Sequence, residues 1–418
     1  MAGMPNKKFK EEGKMIINHN LSALNAWRAL SVNTANTQKS LEKLSSGYRI
    51  NRAGDDAAGL AISEKMRAQI AGLNQAQRNA QDGISLIQTA EGALNETQAI
   101  LQRMRELAVQ AANDTNTASD RAQIQKEIDQ LAQELGRIGR TTEFNTQKLL
   151  DGSFKGIFQI GANENQNLSL TINDMRGYAL QVVGGVTYSI TGTFTPAASG
   201  SLISNGTYTV SYDGTKYLLK DQAGNIVATS TDGKSYTNAA NDAISFNDPV
   251  ISGQITINGT NATGVATVTN EGLDAGTYTY DFTNKVLKNA SGEIIGKSAD
   301  DKTFVDLQGK TLFTLGAAVT ANTTFTIGGI DVTTQSAANA AITKLQSAID
   351  TVSTERSKLG AYQNRLEHTI NNLGTAAENL TAAESRIRDV DMAKEMMEFT
   401  KNNILNQAAT AMLERMAA

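Results

Sequence analysis

Proline is absent from both ends of the chain, and this absence limits the possible folds more than any other feature of the sequence. The chain has three prolines, Pro5, Pro196 and Pro249. Residues 15–177 and 332–418 therefore contain none. A proline inside an α-helix destabilises it by about 3 kcal/mol, so two proline-free arms permit very long helices. The sequence between them, 178–331, is rich in Gly, Thr, Ser, Asn and Tyr. This layout predicts an α+β fold, with a helical arm at each end and a β insertion in the middle.

Apolar residues recur at alternating steps of three and four between residues 70 and 108, which is the spacing of a coiled-coil seam, and a helix is predicted across 58–112. A helix of this length extends about 80 Å at 1.5 Å per residue. A second helix is predicted over 118–138, where Thr117 and Asp120 have capping-box spacing and Gly139 is a candidate stop. The C-terminal arm repeats the seam, so the arms are predicted to form a coiled-coil hairpin. The seam residues expected to serve packing and assembly are Ile70, Leu73, Ile84, Ile87, Leu94, Leu101, Ile370, Leu373, Leu380 and Ile387.

The insertion alternates with period two, as β-structure does. Tyr208, Val210 and Tyr212 are predicted to face one way, before Asp213-Gly214 turns the chain. The sequence at 206–236 recurs with small gaps at 276–304, and both copies begin with Gly-Thr-Tyr-Thr. The insertion is therefore predicted to hold two tandem related β-units.

The composition offers little chemistry for an enzyme. The chain has no cysteine and two histidines, His19 and His368, neither in an HExxH motif. Asp55 and Asp56 lie in a stretch rich in Gly and Ala, where acids usually cap helices or face solvent. We therefore expect no catalytic residue, no metal site and no cofactor. A net charge of −4 without a basic patch argues against nucleic acid as a partner. No apolar run is long enough to span a membrane.

Residues 1–14 differ in character from the rest and are predicted to be a leader outside the native protein. The run Lys10-Glu-Glu-Gly-Lys14 can be encoded by a purine-rich string containing AGGAGG, a bacterial ribosome-binding sequence. Met15 would then be the true start. The alternative is a tag or a basic extension that belongs to the protein, and the intact mass of protein from its native source distinguishes them.

Two stretches of the arms resemble a known family. Residues 41–70 read LEKLSSGYRINRAGDDAAGLAISEKMRAQI and closely resemble the N-terminal signature of bacterial flagellins. Residues 386–405 read RIRDVDMAKEMMEFTKNNIL and resemble their C-terminal signature. The similarity covers roughly 15–177 and 332–412. It implies a structural subunit of the flagellar filament, which self-assembles into a helical tube for swimming motility.

The resemblance also implies a domain organisation. The implied segments are an N-terminal inner-tube helix and spoke at 15–57, an outer-tube helical domain ending in a β-hairpin at 58–177, variable surface-exposed β domains at 178–331, an outer-tube helix at 332–388 and a C-terminal inner-tube helix at 389–418. The last segment ends with Glu414-Arg-Met-Ala-Ala418, earlier than flagellins usually do. We therefore expect a shortened inner-tube helix.

The partners implied by the resemblance are further copies of the chain, a flagellar secretion chaperone at the C-terminal helices, the filament cap and the hook-associated junction proteins. It implies type III export of the unfolded chain and an extracellular location in the filament. An animal Toll-like receptor is a further implied partner. The residues matching its recognition patch in flagellins are Gln102, Arg103, Arg105, Glu106, Leu107 and Glu127.

Glycines and acids cluster between the first seam and the long helix. Glycine permits positive φ and weakens helix, so this segment is predicted to be a break, and by resemblance a spoke or hinge involved in filament switching. Its residues are Gly47, Gly54, Asp55, Asp56 and Gly59.

Two other functions remain open on the sequence alone. A hook–filament junction protein shares the terminal helices. A surface adhesin or carbohydrate-binding homologue would use the insertion, with tyrosines stacking on sugars. The candidate tyrosines are Tyr208, Tyr212, Tyr278 and Tyr280.

Overall fold

The computed structural model of the chain describes residues 21–198 and 200–417. The predicted leader, the proposed start at Met15 and His19 lie outside these residues. The chain divides into two compact units. Unit 1 contains the residues up to 80, 159–167 and those from 368 onward, and unit 2 contains 81–158 and 168–367.

In the described part of the two arms there are five helices, as the absence of proline predicts. They are α1 (Leu21–Ser46), α2 (Ala57–Ala111), α3 (Ala118–Thr141), α4 (Gln335–Arg388) and α5 (Met392–Ala417). The helix predicted over 58–112 is confirmed as α2, which has 55 residues, and α4 has 54. Among the described residues, no helix is both long and apolar enough to cross a membrane.

The start of α3 is confirmed and its predicted stop is wrong. Thr117 and Asp120 form the capping box, because the Thr117 side chain accepts from the Asp120 N–H and the Asp120 side chain accepts from the Thr117 N–H. The helix passes through Gly139 and ends at Thr141. A Cβ at Gly139 would lie 2.6 Å from Arg176 Cγ. The glycine therefore allows a close approach by another segment and does not terminate the helix.

In unit 1, the helices pack in antiparallel pairs. Residues 21–46 of α1 lie against α5, with Lys43 Nζ 3.8 Å from Glu395 Oε2 and the Asn406 side-chain amide donating to Thr37 Oγ1 at 2.9 Å. The first part of α2 packs against the last part of α4 through a small apolar cluster. Its buried members are Leu73, Ala76, Leu373 and Ala377.

In unit 2, the second part of α2 is covered by α4 and α3. Arg356 on α4 lies 3.8 Å from Glu91 and also contacts Gln98. A Cβ at Gly83 would be 3.3 Å from Leu366 Cδ1. The seam positions of α2 from Leu73 to Leu101 are buried or half-buried, and this stripe is therefore filled within the chain.

Two small hairpins follow α3. They pair β1 (Glu143–Phe144) with β2 (Gln147–Lys148), and β3 (Lys155–Gln159) with β4 (Asn167–Thr171).

The insertion forms one 14-stranded antiparallel sheet. Its strands fall into two sets of seven, which we call repeat 1 and repeat 2. Repeat 1 contains β5 (Val183–Thr195), β6 (Gly206–Tyr212), β7 (Tyr217–Lys220), β8 (Ile226–Ser230), β9 (Ser235–Thr237), β10 (Ala243–Ser245) and β11 (Gly253–Asn258). Repeat 2 contains β12 (Asn261–Val268), β13 (Gly276–Asp281), β14 (Val286–Asn289), β15 (Ile294–Ser298), β16 (Thr303–Asp306), β17 (Thr311–Thr314) and β18 (Thr323–Gly329).

The two repeats fold alike, as the recurring sequence predicts. In each, five consecutive strands form a meander, and the first of them also pairs with the last strand of the repeat. The Tyr208 hydroxyl donates to the Ser204 carbonyl at 2.8 Å, and the Tyr278 hydroxyl donates to the Asp274 carbonyl at 2.9 Å. The two repeats exchange their last strands: β11 pairs with β12 of repeat 2, and β18 pairs with β5 of repeat 1.

Three of the four tyrosines considered as sugar-stacking candidates are packing residues. Tyr208, Tyr278 and Tyr280 are buried in the sheet core. Tyr212 does not share the buried environment of Tyr208 and Val210, because it stands at the strand end, exposed, with its ring centroid 4.9 Å from that of Tyr217. Alternating tyrosines thus fill the space between strands, where their rings pack across the sheet.

Candidate assembly surface

The terminal helix pair presents a large apolar surface to solvent. Its exposed large side chains are Leu21, Leu24, Trp27, Val32 and Leu41 on α1, and Met392, Met396, Met397, Ile404, Leu405 and Met412 on α5. Trp27 is 61% exposed and Met397 67%. Soluble monomers rarely leave contiguous apolar surface uncovered, and such surface marks an interaction site.

The helices α1 and α5 bury few side chains even where they contact each other. The buried residues described on α1 and α5 are Ser40, Glu395 and Ala409, none of which is a large apolar side chain. Methionine is flexible and adapts to different neighbours, and four of the exposed apolar side chains on α5 are methionines. The surface is therefore suited to being covered by something outside the chain.

A short two-stranded link joins this helix pair to the long helices of unit 1. Gly47 ends α1 with φ +73°, a conformation that favours glycine. The Arg49 N–H donates to the Arg388 carbonyl at 2.7 Å, and the Val390 N–H donates to the Gly47 carbonyl at 3.0 Å. The break after α1 thus pairs with the break after α4.

The two aspartates of the predicted spoke organise this link through capping contacts. The Asp56 carboxylate accepts the Gly59 N–H at 2.8 Å and caps the start of α2. The Asp55 carboxylate accepts the N–H groups of Asn51 and Arg52. The Arg52 amide holds the pKa of the Asp55 carboxyl below its ordinary value. A Cβ at Gly59 would lie 2.9 Å from Ile50 Cδ1, while one at Gly54 would meet nothing within 4 Å.

Arg388 holds the link together and was not singled out from the sequence. Its guanidinium lies 2.7 Å from Glu64 Oε1 on α2 and 4.8 Å from the ring centroid of Tyr48. It belongs to the signature at 386–405, but the contacts reach more than 300 residues along the chain. Nothing in the local sequence pattern indicates those partners.

The predicted receptor patch lies in unit 2, on α2 and α3. Arg103 bridges the helices, with Nη2 2.8 Å from Glu127 Oε1 and Nη1 3.2 Å from Glu106 Oε2. The Glu127 carboxylate holds the pKa of Arg103 above its ordinary value. Gln102 and Arg105 are exposed beside it. Leu107 is 2% exposed, because it faces the core between the helices, so its side chain does not contribute to this surface.

The described residues contain no group of three or more His, Asp or Glu side chains placed to hold a metal ion. His368 stands exposed on α4.

Comparisons with known proteins identify the family to which this chain belongs. A family model for the bacterial flagellin N-terminal helical region matches residues 17–155, and one for the bacterial flagellin C-terminal helical region matches 342–418. The flagellin of Clostridium tyrobutyricum is 48% identical over 412 residues, which cover 96% of this chain and 98% of that protein. The chain belongs to the bacterial flagellin family.

Further flagellins agree over the same length. Those of Bacillus subtilis and Halalkalibacterium halodurans are 42% and 41% identical, and each alignment covers 96% of this chain. The predicted function is confirmed: this flagellin is a structural subunit of the flagellar filament. The full-length agreement does not favour the hook–filament junction protein or the adhesin as alternatives.

Proposed function

We propose that copies of this flagellin polymerise over the apolar surface of α1 and α5. The observation that carries the proposal is the exposure of large apolar side chains on both helices, among them Trp27, Met397 and Ile404. Burying one such side chain contributes about 1.5–3 kcal/mol. Contacts between copies that do not close into a ring produce helical filaments.

The proposed domain roles follow from this surface. The segments at 15–57 and 389–418 form the inner tube of the filament. The segments at 58–177 and 332–388 form the outer tube, and the insertion at 178–331 faces solvent. Because the coiled-coil seam is filled within the chain, outer-tube contacts between copies use the polar faces of the long helices and not the seam. The link around Gly47 is the spoke, and the non-helical segment between α1 and α2 suits it to absorb a change of filament shape.

Export and assembly partners belong to the same proposal. The chain leaves the cell unfolded by the flagellar type III route and acts outside it. A secretion chaperone covers α5 before export, since the exposed methionines and Ile404 would otherwise meet water or another copy. The cap and the hook-associated junction proteins contact the ends of the filament.

Polymerisation of the purified chain tests the proposed function directly. Addition of a salting-out anion such as sulfate strengthens burial of apolar surface and is expected to yield sedimentable filaments, visible by negative-stain electron microscopy. Chain that stays monomeric under all such conditions, with its folded helices intact by circular dichroism, would contradict the proposal.

We also propose that the surface around Arg103 binds an animal Toll-like receptor. Arginine at the centre of an interface often contributes more than 1 kcal/mol. Arg103→Ala is therefore expected to raise the monomer concentration needed for half-maximal receptor signalling by about tenfold. Arg137→Ala is the matched control, because Arg137 is exposed on α3 and pairs with Glu134 at the same i,i+3 spacing. Equal potency of the two variants would remove Arg103 from the contact.

A further inference from the structure

The centre of the insertion is an antiparallel pair made by the first strands of the two repeats, β5 and β12. Gly206 opposes Ile257 in repeat 1, and Gly276 opposes Ile327 in repeat 2, so the two isoleucines occupy equivalent positions. Ile257 pairs with Ala262 on β12, and Ile327 pairs with Val186 on β5. Val186 is therefore equivalent to Ala262. By the same count, Tyr188 is equivalent to Gly264, and Ile190 to Ala266.

Equivalent residues of this pair differ in size. All six are buried, and the three on β5 are large while the three on β12 are small. The register places Tyr188 opposite Ala266 and Ile190 opposite Gly264. In the middle of the pair, each large side chain of repeat 1 thus meets a small residue of repeat 2. The outer pairs, Val186 with Val268 and Gly192 with Ala262, do not follow this rule.

The segments that follow β10 and β17 differ in the same sense. Phe246 and Leu315 donate to the carbonyls of Lys234 and Lys302, and Val250 and Val319 donate to those of Gly233 and Asp301. The runs 246–250 and 315–319 are therefore equivalent. Asn247 corresponds to Gly316, and Asp248 to Ala317.

Asp248 is a buried anchor between the repeats. Its two carboxylate oxygens accept the Gly316 N–H at 2.7 Å, and one also accepts the Tyr188 hydroxyl. Burial and this carboxylate raise the pKa of Tyr188, so its hydroxyl stays a donor. A Cβ at Gly316 would collide with the Asp248 carboxylate and the Asn247 carbonyl. The bulky and charged residues, Tyr188 and Asp248, therefore belong to repeat 1. Gly316, whose missing side chain leaves room for the Asp248 carboxylate, belongs to repeat 2.

We propose that this difference is a specificity device that commits repeat 1 to pair with repeat 2 and excludes pairing between like repeats of two copies. Pairing of two copies of repeat 1 would set Tyr188 opposite Ile190 and Asn247 against Asp248. Overpacking of this kind destabilises a core. Pairing of two copies of repeat 2 would set Gly264 opposite Ala266 and leave a void. Without such a device, two copies of a chain that carries related repeats would be prone to exchange strands between molecules. The inference concerns the insertion alone and does not depend on polymerisation.

Single cysteines report which repeats pair, because the chain contains no cysteine. Ser189 and Val265 are exposed, directly opposite in the register, and equivalent to each other. Two copies of repeat 1 paired in the same way would set position 189 opposite itself, within reach of a disulfide. The neighbouring Thr191→Cys is the matched control, since it is equally exposed but would not oppose itself.

The experiment refolds each full-length cysteine variant from denaturant at high chain concentration and resolves the products on non-reducing gels. In the wild-type background, Ser189→Cys is expected to cross-link no more than Thr191→Cys. The double variant Ser189→Cys/Val265→Cys is expected to form its disulfide within one chain. Adding Tyr188→Ala and Asp248→Ala removes the bulky side and is expected to raise the Ser189→Cys dimer about tenfold over the Thr191→Cys control. Equal cross-linking in both backgrounds would overturn the proposal.

If the Tyr188→Ala/Asp248→Ala chain does not fold, a variant in which the large residues of β5 and the small residues of β12 are exchanged tests the proposal instead. The substitutions Tyr188→Gly and Ile190→Ala make both strands small, and Gly264→Tyr and Ala266→Ile make both large. All four together restore complementarity in the opposite sense. The proposal expects the fourfold variant to melt at a higher temperature than either double variant. A fourfold variant that melts no higher than the less stable double variant would contradict it.

Discussion

Replacing Met396, Met397 and Ile404 by glutamate is expected to abolish polymerisation while the chain stays folded. The three side chains are at least half exposed on α5, so the substitutions remove little contact within the chain, and exposed substitutions usually change stability by no more than about 0.5 kcal/mol. In the filament, each position would lose about 1.5–3 kcal/mol of apolar burial. The critical concentration should then rise by about a thousandfold or more. Sedimentation after salt-induced assembly measures it.

A control with the same added charge separates the loss of apolar area from simple repulsion. Gln222, Gln254 and Gln308 are exposed in the insertion. Their replacement by glutamate also adds three negative charges. This variant is expected to polymerise at a critical concentration close to that of the wild type. If the α5 variant sediments as well as this control, the α1–α5 surface is not where copies meet.

Phe304→Ala is expected to have the largest effect on the stability of the insertion and no effect on polymerisation. Phe304 is fully buried, and its ring centroid lies 4.4 Å from that of Phe313, 4.9 Å from Tyr280 and 5.2 Å from Phe325. Truncating such a residue leaves a cavity and costs about 3–5 kcal/mol. Chemical denaturation followed by near-ultraviolet circular dichroism of the tyrosines reports the insertion, since most tyrosines lie there.

Phe282→Ala is the matched comparison for this prediction. Phe282 is half-buried at the edge of the same core and lies 4.0 Å from the Lys285 ammonium. Its loss is expected to cost less than about 1.5 kcal/mol, because a partly exposed ring at the edge of a core contributes less apolar burial than a fully buried one. Both variants should sediment as filaments. Loss of polymerisation in Phe304→Ala, with the helical arms still folded, would show that the insertion takes part in assembly.

The helices were predictable from the sequence because their signals are local. Missing prolines, the seam spacing and the capping box at Thr117 set the bounds of α2 and α3 to within a few residues. Gly139 and Leu107 were misjudged for one reason. Each depends on which segment packs against it, Arg176 against Gly139 and the helical core against Leu107, and a single helix does not encode its neighbour.

The sheet was predictable only in part. The recurring Gly-Thr-Tyr-Thr start revealed the meanders at 206–236 and 276–304, whose turns are local. The sequence repeat did not reveal that β5 and β12, the first strands of the two repeats, are equivalent, because β5 has large residues where β12 has small ones. The pairing of β18 with β5 joins residues about 140 positions apart, as Thr187 and Thr326 show. Period-two alternation identifies such strands but not their partners.

The emission of Trp27 in the polymer shows whether neighbouring copies cover the terminal helices. Trp27 is the only tryptophan and is 61% exposed on α1, so the signal has one source. On conversion to sedimentable filaments, its emission should shift to shorter wavelength and its quenching by iodide should fall. Filaments in which Trp27 keeps the emission maximum and the quenching of the monomer would contradict the account.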